Sequence, residues 1–239
     1  MSVPMNAALA LADVLARPDV WRGDALAQAP LPGVPTGFAE LDAELPGGGW
    51  PRGGLVELLA AQAGIGELGL LLPALARFSA AESSWVVCVA PPYPLHAPAW
   101  EAAGVALSHL LITRARGGDA AWACARVLEA DGVGALLAWL PGADANALRR
   151  LQLAAEASRT LAFVFRPLAR AREASPAPLR LVLEGAGGRL AVSFLKRRGG
   201  TRPQPLSLFP GRPAPLRHAL ASPAPAAAAA RSLPQSAAA

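Results

Sequence analysis

Residues 57–73 read ELLAAQAGIGELGLLLP. An apolar strand, a glycine-punctuated turn and a second apolar run predict a strand–turn–helix unit. In α/β proteins that unit seats phosphate groups on backbone N–H donors. The same alternation continues outward. LVELLA (55–60), SWVVCVA (84–90), HLLIT (109–113), GALLAWL (134–140) and TLAFVFR (160–166) are short, continuous apolar runs, the pattern of strands buried on both faces. Between them, ELGLLLPALARFSAA (67–81, with a kink at Pro73), APAWEAAGV (97–105), DAAWACARVLEADG (119–132) and ADANALRRLQLAAEAS (143–158) carry helical periodicity. LRLVLEG and RLAVSFLKR form a hairpin across GAGG. The series predicts an α/β fold with a mostly parallel, doubly wound sheet and a C-terminal hairpin.

The flanks differ. NAALALADVLAR (6–17) predicts a helix that stops before Pro18, followed by a Pro- and Gly-rich connector. TGFAELDAEL (36–45) predicts a short helix with Thr36 as N-cap and Phe38, Leu41 and Leu45 on one face. From residue 201 onward, 20 of 39 residues are Pro or Ala, which lacks the periodicity to build a core and predicts disorder. The expected organisation is an N-terminal helix and linker (1–35), an α/β core (36–200) and a Pro/Ala-rich tail (201–239).

The chain has 239 residues, 53% of them hydrophobic, enough for one sizeable core. It has no run of about 18 uncharged apolar residues, so no transmembrane helix is expected. No secretory leader is recognisable. Cys88 and Cys124 are expected as buried free thiols, which suits a cytoplasmic protein. The net charge of +5 is unevenly spread. After Glu184 there are eight Lys or Arg and no acidic residue, so residues 1–184 sum to −3. A basic end on an acidic body suits an anionic partner, nucleic acid or an acidic protein face.

A phosphate loop of the form G-x-x-x-x-G-K-[ST] wraps phosphates with its glycines, neutralises them with lysine and ligates magnesium with the hydroxyl. Aligned by spacing, its positions fall on Ala61, Gly66, Glu67 and Leu68, with Gly64 between. Only the second glycine is kept. Glu67 reverses the charge, and the chain's single lysine is the distant Lys196. Glu67 is expected in the first turn of the following helix, where its charge suits the helix dipole. GIGELG (64–69) also matches G-x-G-x-x-G, but VCVAPP at the end of the next strand lacks the acidic residue a dinucleotide site needs.

TGFAELDAELPGGGWPRGGLVEL (36–58), leading into a glycine loop, resembles the entry segment of the RecA superfamily. VWRG (20–23), LPGGGWPRG (45–53), GIGELGLLLP (64–73), RRLQLAAE (149–156), FRP (165–167), SPAPLRL (175–181) and LKRRG (195–199) together resemble the ImuA family. ImuA proteins are RecA-like accessory proteins of inducible bacterial translesion mutagenesis. The resemblance covers roughly residues 15–200. It implies a RecA-like P-loop fold, SOS induction, and two partners: an ImuB-like Y-family polymerase homologue and an error-prone C-family DNA polymerase. It also places the family's catalytic glutamate near Pro91 and its Walker B aspartate at Trp139 or Leu140. With lysine, hydroxyl, aspartate and glutamate all missing, metal-assisted phosphoryl transfer lacks its charge clamp and metal ligand. The expectation is a non-enzyme without a cofactor.

Several residues are candidates for contact. LKRRG stands where the resemblance implies a basic segment that approaches a neighbouring subunit's ATP, so Lys196, Arg197 and Arg198 are candidate contacts to RecA or DNA. Lys196 and Arg198 would share one face of a strand. Arg166 closes a strand and, with Arg170 and Arg172, is a candidate for phosphate contact to DNA. QPLSLF (204–209) resembles the bacterial sliding-clamp peptide through Gln204, Leu206, Leu208 and Phe209, with Pro205 intruding. Trp122 and Trp139 are expected to fill core. Two other functions fit parts of this pattern: a SulA-like cell-division inhibitor that binds a tubulin-like GTPase, and a divergent ATPase.

Overall fold

A computed structural model describes residues 32–198 and 202–210. The predicted helix at 6–17 and the tail from residue 211 lie outside the described residues. Eight strands form one sheet: β1 Leu55–Ala60, β2 Trp85–Val89, β3 Leu110–Thr113, β4 Val133–Trp139, β5 Leu161–Pro167, β6 Leu179–Ala186, β7 Arg189–Lys196 and β8 Leu206–Leu208. Their order is β3-β2-β4-β5-β1-β6-β7-β8. Pairing is parallel from β3 to β6, and antiparallel for β6–β7 and β7–β8. The chain is therefore α/β with a mostly parallel sheet.

Among the described residues there are five α-helices, α1 Ala39–Asp42, α2 Leu72–Ala76, α3 Ala97–Ala102, α4 Gly118–Glu129 and α5 Ala145–Ala157, with a π-helical turn at Arg77–Ala81 continuing α2. Two cores separate cleanly by strand parity. Val56, Leu58, Val86, Cys88, Leu137 and Phe163 pack with residues of α2 and Trp100 of α3. Their neighbours Leu55, Val87, Val89, Leu136 and Val164 pack with Cys124 of α4 and Leu148 and Leu151 of α5. Alternate strand residues face opposite layers, which explains why these strands read as continuous apolar runs.

Four local expectations change. Thr36 is fully buried, but it does not cap α1. Its hydroxyl accepts the Phe38 amide at 3.0 Å and its own amide donates to Asp42 at 2.8 Å, closing the turn ahead of the helix. The helix foreseen over 67–81 is a turn through residue 71 followed by α2, with Pro73 at the helix start rather than at a kink. The supposedly disordered tail contains β8, and Leu206 and Leu208 are buried against Leu190 and Val192 of β7. Trp122 is 66% exposed, on the outer face of α4.

Gly134 opens β4 beneath the Phe78 ring, and a Cβ there would lie 2.7 Å from that ring. Gly134→Ala is expected to destabilise the fold by about 1–3 kcal/mol through overpacking, read as a lower urea midpoint. Cys88 and Cys124 are both buried, and burial pushes each thiol up to about 12. The folded thiols stay protonated where unfolded ones ionise. The stability this leaves intact below about pH 9 is lost as pH rises toward 12. Unfolding midpoints measured from pH 8 to 11 are expected to fall, and the fall should shrink in a Cys88→Ala/Cys124→Ala double variant.

Candidate functional site

The strand order sets the location. From β1 the chain steps outward to β2 and β3, and then returns through β4 and β5 to β6 on the far side of β1. The C-terminal ends of β1 and β5 are neighbours whose connections leave in opposite directions. Ligands of open α/β sheets bind in the crevice at such a switch point. Here a cavity of about 1320 Å³ lies over the carboxyl ends of β1, β2, β4 and β5.

The loop after β1 forms one wall. Gly64 and Gly66 have φ of +82° and +101°, a left-handed backbone that glycine adopts without steric cost. The turn brings Glu67 back over the loop. One carboxylate oxygen accepts the Gly64 amide and the other the Ile65 amide, both at 2.9 Å. Glu67 is only 7% exposed. Two N–H groups of the loop are thus held by the chain's own carboxylate. Glu67 is not in the first turn of a helix, because α2 begins five residues later at Leu72. Its negative charge is satisfied by loop amides instead of a helix dipole. Leu68 packs against the α2-side core, while Ala61 is exposed at the cavity wall.

Two other segments brace the loop. A Cβ at Gly185 would lie 3.1 Å from Ile65, and one at Gly69 would lie 2.9 Å from the carbonyl oxygen of Pro210. The end of β6 and the residues after β8 therefore hold the loop from outside.

Arg166, a candidate for phosphate contact at a strand end, is buried and not at the surface. It is 4% exposed and donates to Glu57 at 2.7 Å, to the Ala143 carbonyl at 2.8 Å and to Glu173 at 3.1 Å. Glu57, 1% exposed in β1, also accepts from Arg180 of β6. Arg180 further donates to the carbonyls of Arg170 and Glu173, at 2.9 and 3.0 Å. One carboxylate thus ties β1 to both neighbouring strands and to the 3-10 turn at Leu168–Arg172. Arg170, with Arg166 adding, holds the Glu173 carboxyl below its ordinary value. The sequence reading passed over Glu57 and Arg180. A charged residue in the middle of the apolar run LVELLA was the available signal.

The other proposed contacts scatter. Lys196 ends β7 and donates to the Ser175 carbonyl at 3.0 Å. Arg197 is partly buried, donates to the Glu44 carboxylate at 2.6 Å and lies over the Phe194 ring at 4.8 Å. Arg198 is exposed beyond the strand, so the shared strand face expected for Lys196 and Arg198 is not formed. Because β7 runs antiparallel to β6, this cluster sits at the opposite end of the strands from the cavity. In QPLSLF, Leu206 and Leu208 are buried in β8, whereas Gln204 and Phe209 are exposed. As placed, the segment completes the sheet and is not an extended peptide open to a clamp.

At the cavity floor Trp139 and Phe165 stack with centroids 4.6 Å apart and planes 8° from parallel. Trp139 is half-buried and lines the cavity at the end of β4. On the opposite wall Ala90 holds φ +55°, a conformation that costs a non-glycine residue about 1–2 kcal/mol. It redirects the chain from β2 into the proline-rich run Pro91–Pro94. No described helix is long and apolar enough to cross a membrane. No family model matches the chain, and no curated protein matches it.

Proposed function

We propose that this chain is a non-catalytic, RecA-like accessory protein of SOS-induced, error-prone translesion synthesis, which works through protein contacts. The carrying observation is the Glu67 carboxylate seated on the Gly64 and Ile65 amides. A strand–loop–helix frame at the switch point of the sheet is the arrangement that RecA-like ATPases use for phosphate. Here the seat is filled by an internal anion, and no lysine stands near it. The family segments at 36–58 and 45–53 supply the rest of the reading. Its proposed partners are an ImuB-like Y-family polymerase homologue, an error-prone C-family polymerase and RecA, with DNA approached through the basic end.

Two measurements test this. Titration of the full chain with ATP and magnesium is expected to show no binding heat, and micromolar affinity would return the chain to the ATPases. Affinity capture from DNA-damaged cells is expected to enrich polymerase subunits or RecA. Enrichment of a tubulin-like division protein would overturn the translesion reading in favour of the SulA-like one.

A further inference from the structure

Three arginines surround the cavity: Arg114 and Arg116 from the β3–α4 connection, and Arg150 from α5. All three are exposed, and none of their guanidinium groups makes a hydrogen bond or ion pair with a described residue. Elsewhere the arginines of this protein are commonly engaged, as Arg77, Arg126, Arg166, Arg170, Arg180 and Arg197 are with Glu82, Glu129, Glu57, Glu173, Glu57 and Glu44. Three unpaired guanidiniums around one concavity form an anion-attracting rim above the stacked Trp139–Phe165 floor.

The polyanion backbone of a nucleic acid fits this site poorly. Its closely spaced phosphates would meet the Glu67 and Asp144 carboxylates that also line the cavity, beside loop amides that Glu67 already occupies. Trp139 has one ring face already taken by Phe165, which leaves few platforms for successive bases. Discrete carboxylates spaced along a peptide can pair with the arginines one at a time and avoid the two acidic positions. An apolar side chain between them can then enter against Trp139. The proline-rich wall after the strained Ala90 is stiff, so little ordering entropy is lost when a ligand docks on it. Tyr93, 68% exposed on that wall, offers an aromatic contact at the rim.

We propose that this cavity binds an acidic peptide segment of a partner protein, carrying Asp or Glu residues around an aromatic or large aliphatic anchor. The inference rests on the reading of the chain as a non-catalytic adaptor and names the chemistry of one partner contact. It assigns the ligand place of the fold to a protein segment instead of a nucleotide.

The test selects a random dodecapeptide phage library on the full chain, against the variant Arg114→Glu/Arg116→Glu/Arg150→Glu as counter-target. These side chains are exposed, and circular dichroism with thermal melting checks that the variant is folded. The expected result is enrichment of peptides rich in Asp and Glu that contain Phe, Leu or Trp. Synthesised with a fluorophore, they should bind the native chain and lose at least about tenfold in affinity on the variant. Trp139→Ala should weaken the same peptides by a similar factor. Selected peptides without acidic bias, or binding unchanged in both variants, would overturn the proposal. Tighter binding of a dT12 oligonucleotide than of any selected peptide, lost in the triple variant, would assign the site to nucleic acid. ATP–magnesium binding to the native chain would sink the adaptor reading itself, whereas failed peptide selection without nucleotide binding would sink only this inference.

Discussion

Replacing Glu57 with alanine is expected to lower the unfolding free energy by about 3–5 kcal/mol, the cost of leaving buried charge without its partner. Glu57 is the shared acceptor for Arg166 and Arg180, and all three are at most 5% exposed. Without it, two guanidiniums remain buried beside β1, with the half-exposed Glu173 as the remaining carboxylate for Arg166 and none for Arg180. Arg166 already has a buried Nε with no hydrogen-bond partner, so the network holds no spare acceptor. The urea midpoint followed by circular dichroism measures the loss. A triple variant, Glu57→Leu/Arg166→Met/Arg180→Met, should recover much of it, because removing a whole buried ion network is far less costly than removing one member. A loss under about 1 kcal/mol for Glu57→Ala would show that the three strands are held by packing alone.

The second large effect concerns Glu67. Glu67→Ala removes a carboxylate that satisfies two amides, and hydrogen bonds to charged groups are worth about 1.5–3 kcal/mol each. The loop amides can still reach water through the cavity, so a net loss of about 2 kcal/mol is expected in buffer without oxyanions. Millimolar sulfate or phosphate should then stabilise the alanine variant, by binding the opened seat in the folded state only. The native chain, whose arginine rim is the same but whose seat is closed, should respond less. Thermal melts of both proteins, with and without sulfate, provide the comparison. An equal rise in melting temperature for both would mean that Glu67 does not close the seat.

How much of this was readable beforehand depended on range along the chain. The strands of the parallel sheet were legible because burial on both faces leaves a continuous apolar run within six or seven residues. The charge reversal at Glu67 was legible as well, but not where its carboxylate goes. That required the turn through residue 71, which displaces the start of α2 and folds the side chain back on its own loop. The burial of Arg166 is not legible in the sequence because its partners are 109 residues upstream in Glu57 and seven downstream in Glu173. A strand-end arginine that pairs internally reads the same in sequence as one that faces DNA. The three residues of β8 were masked by the Pro and Ala around them, although Leu206 and Leu208 show the two-residue period of a strand. Trp122 is expected to fill core, yet α4 turns it to solvent.

The position of β1 has a consequence for how the chain is made. β1 lies in the interior of the sheet, but its two neighbours are β5 and β6, which are translated about 100 residues later. At synthesis rates of about 5–20 residues per second, LVELLA precedes its first sheet partner by roughly 5–20 s. Strands β2, β3 and β4 can pair among themselves in that interval, because β2 adjoins both others. Until β5 and β6 have been made, β1 has neither of its two sheet partners, and it is an apolar strand bearing one carboxylate. Glu57 keeps that strand from being uniformly apolar, and a charge within such a run discourages strand-to-strand aggregation. The residue that later anchors the finished sheet would first act as a gatekeeper for its unfinished half.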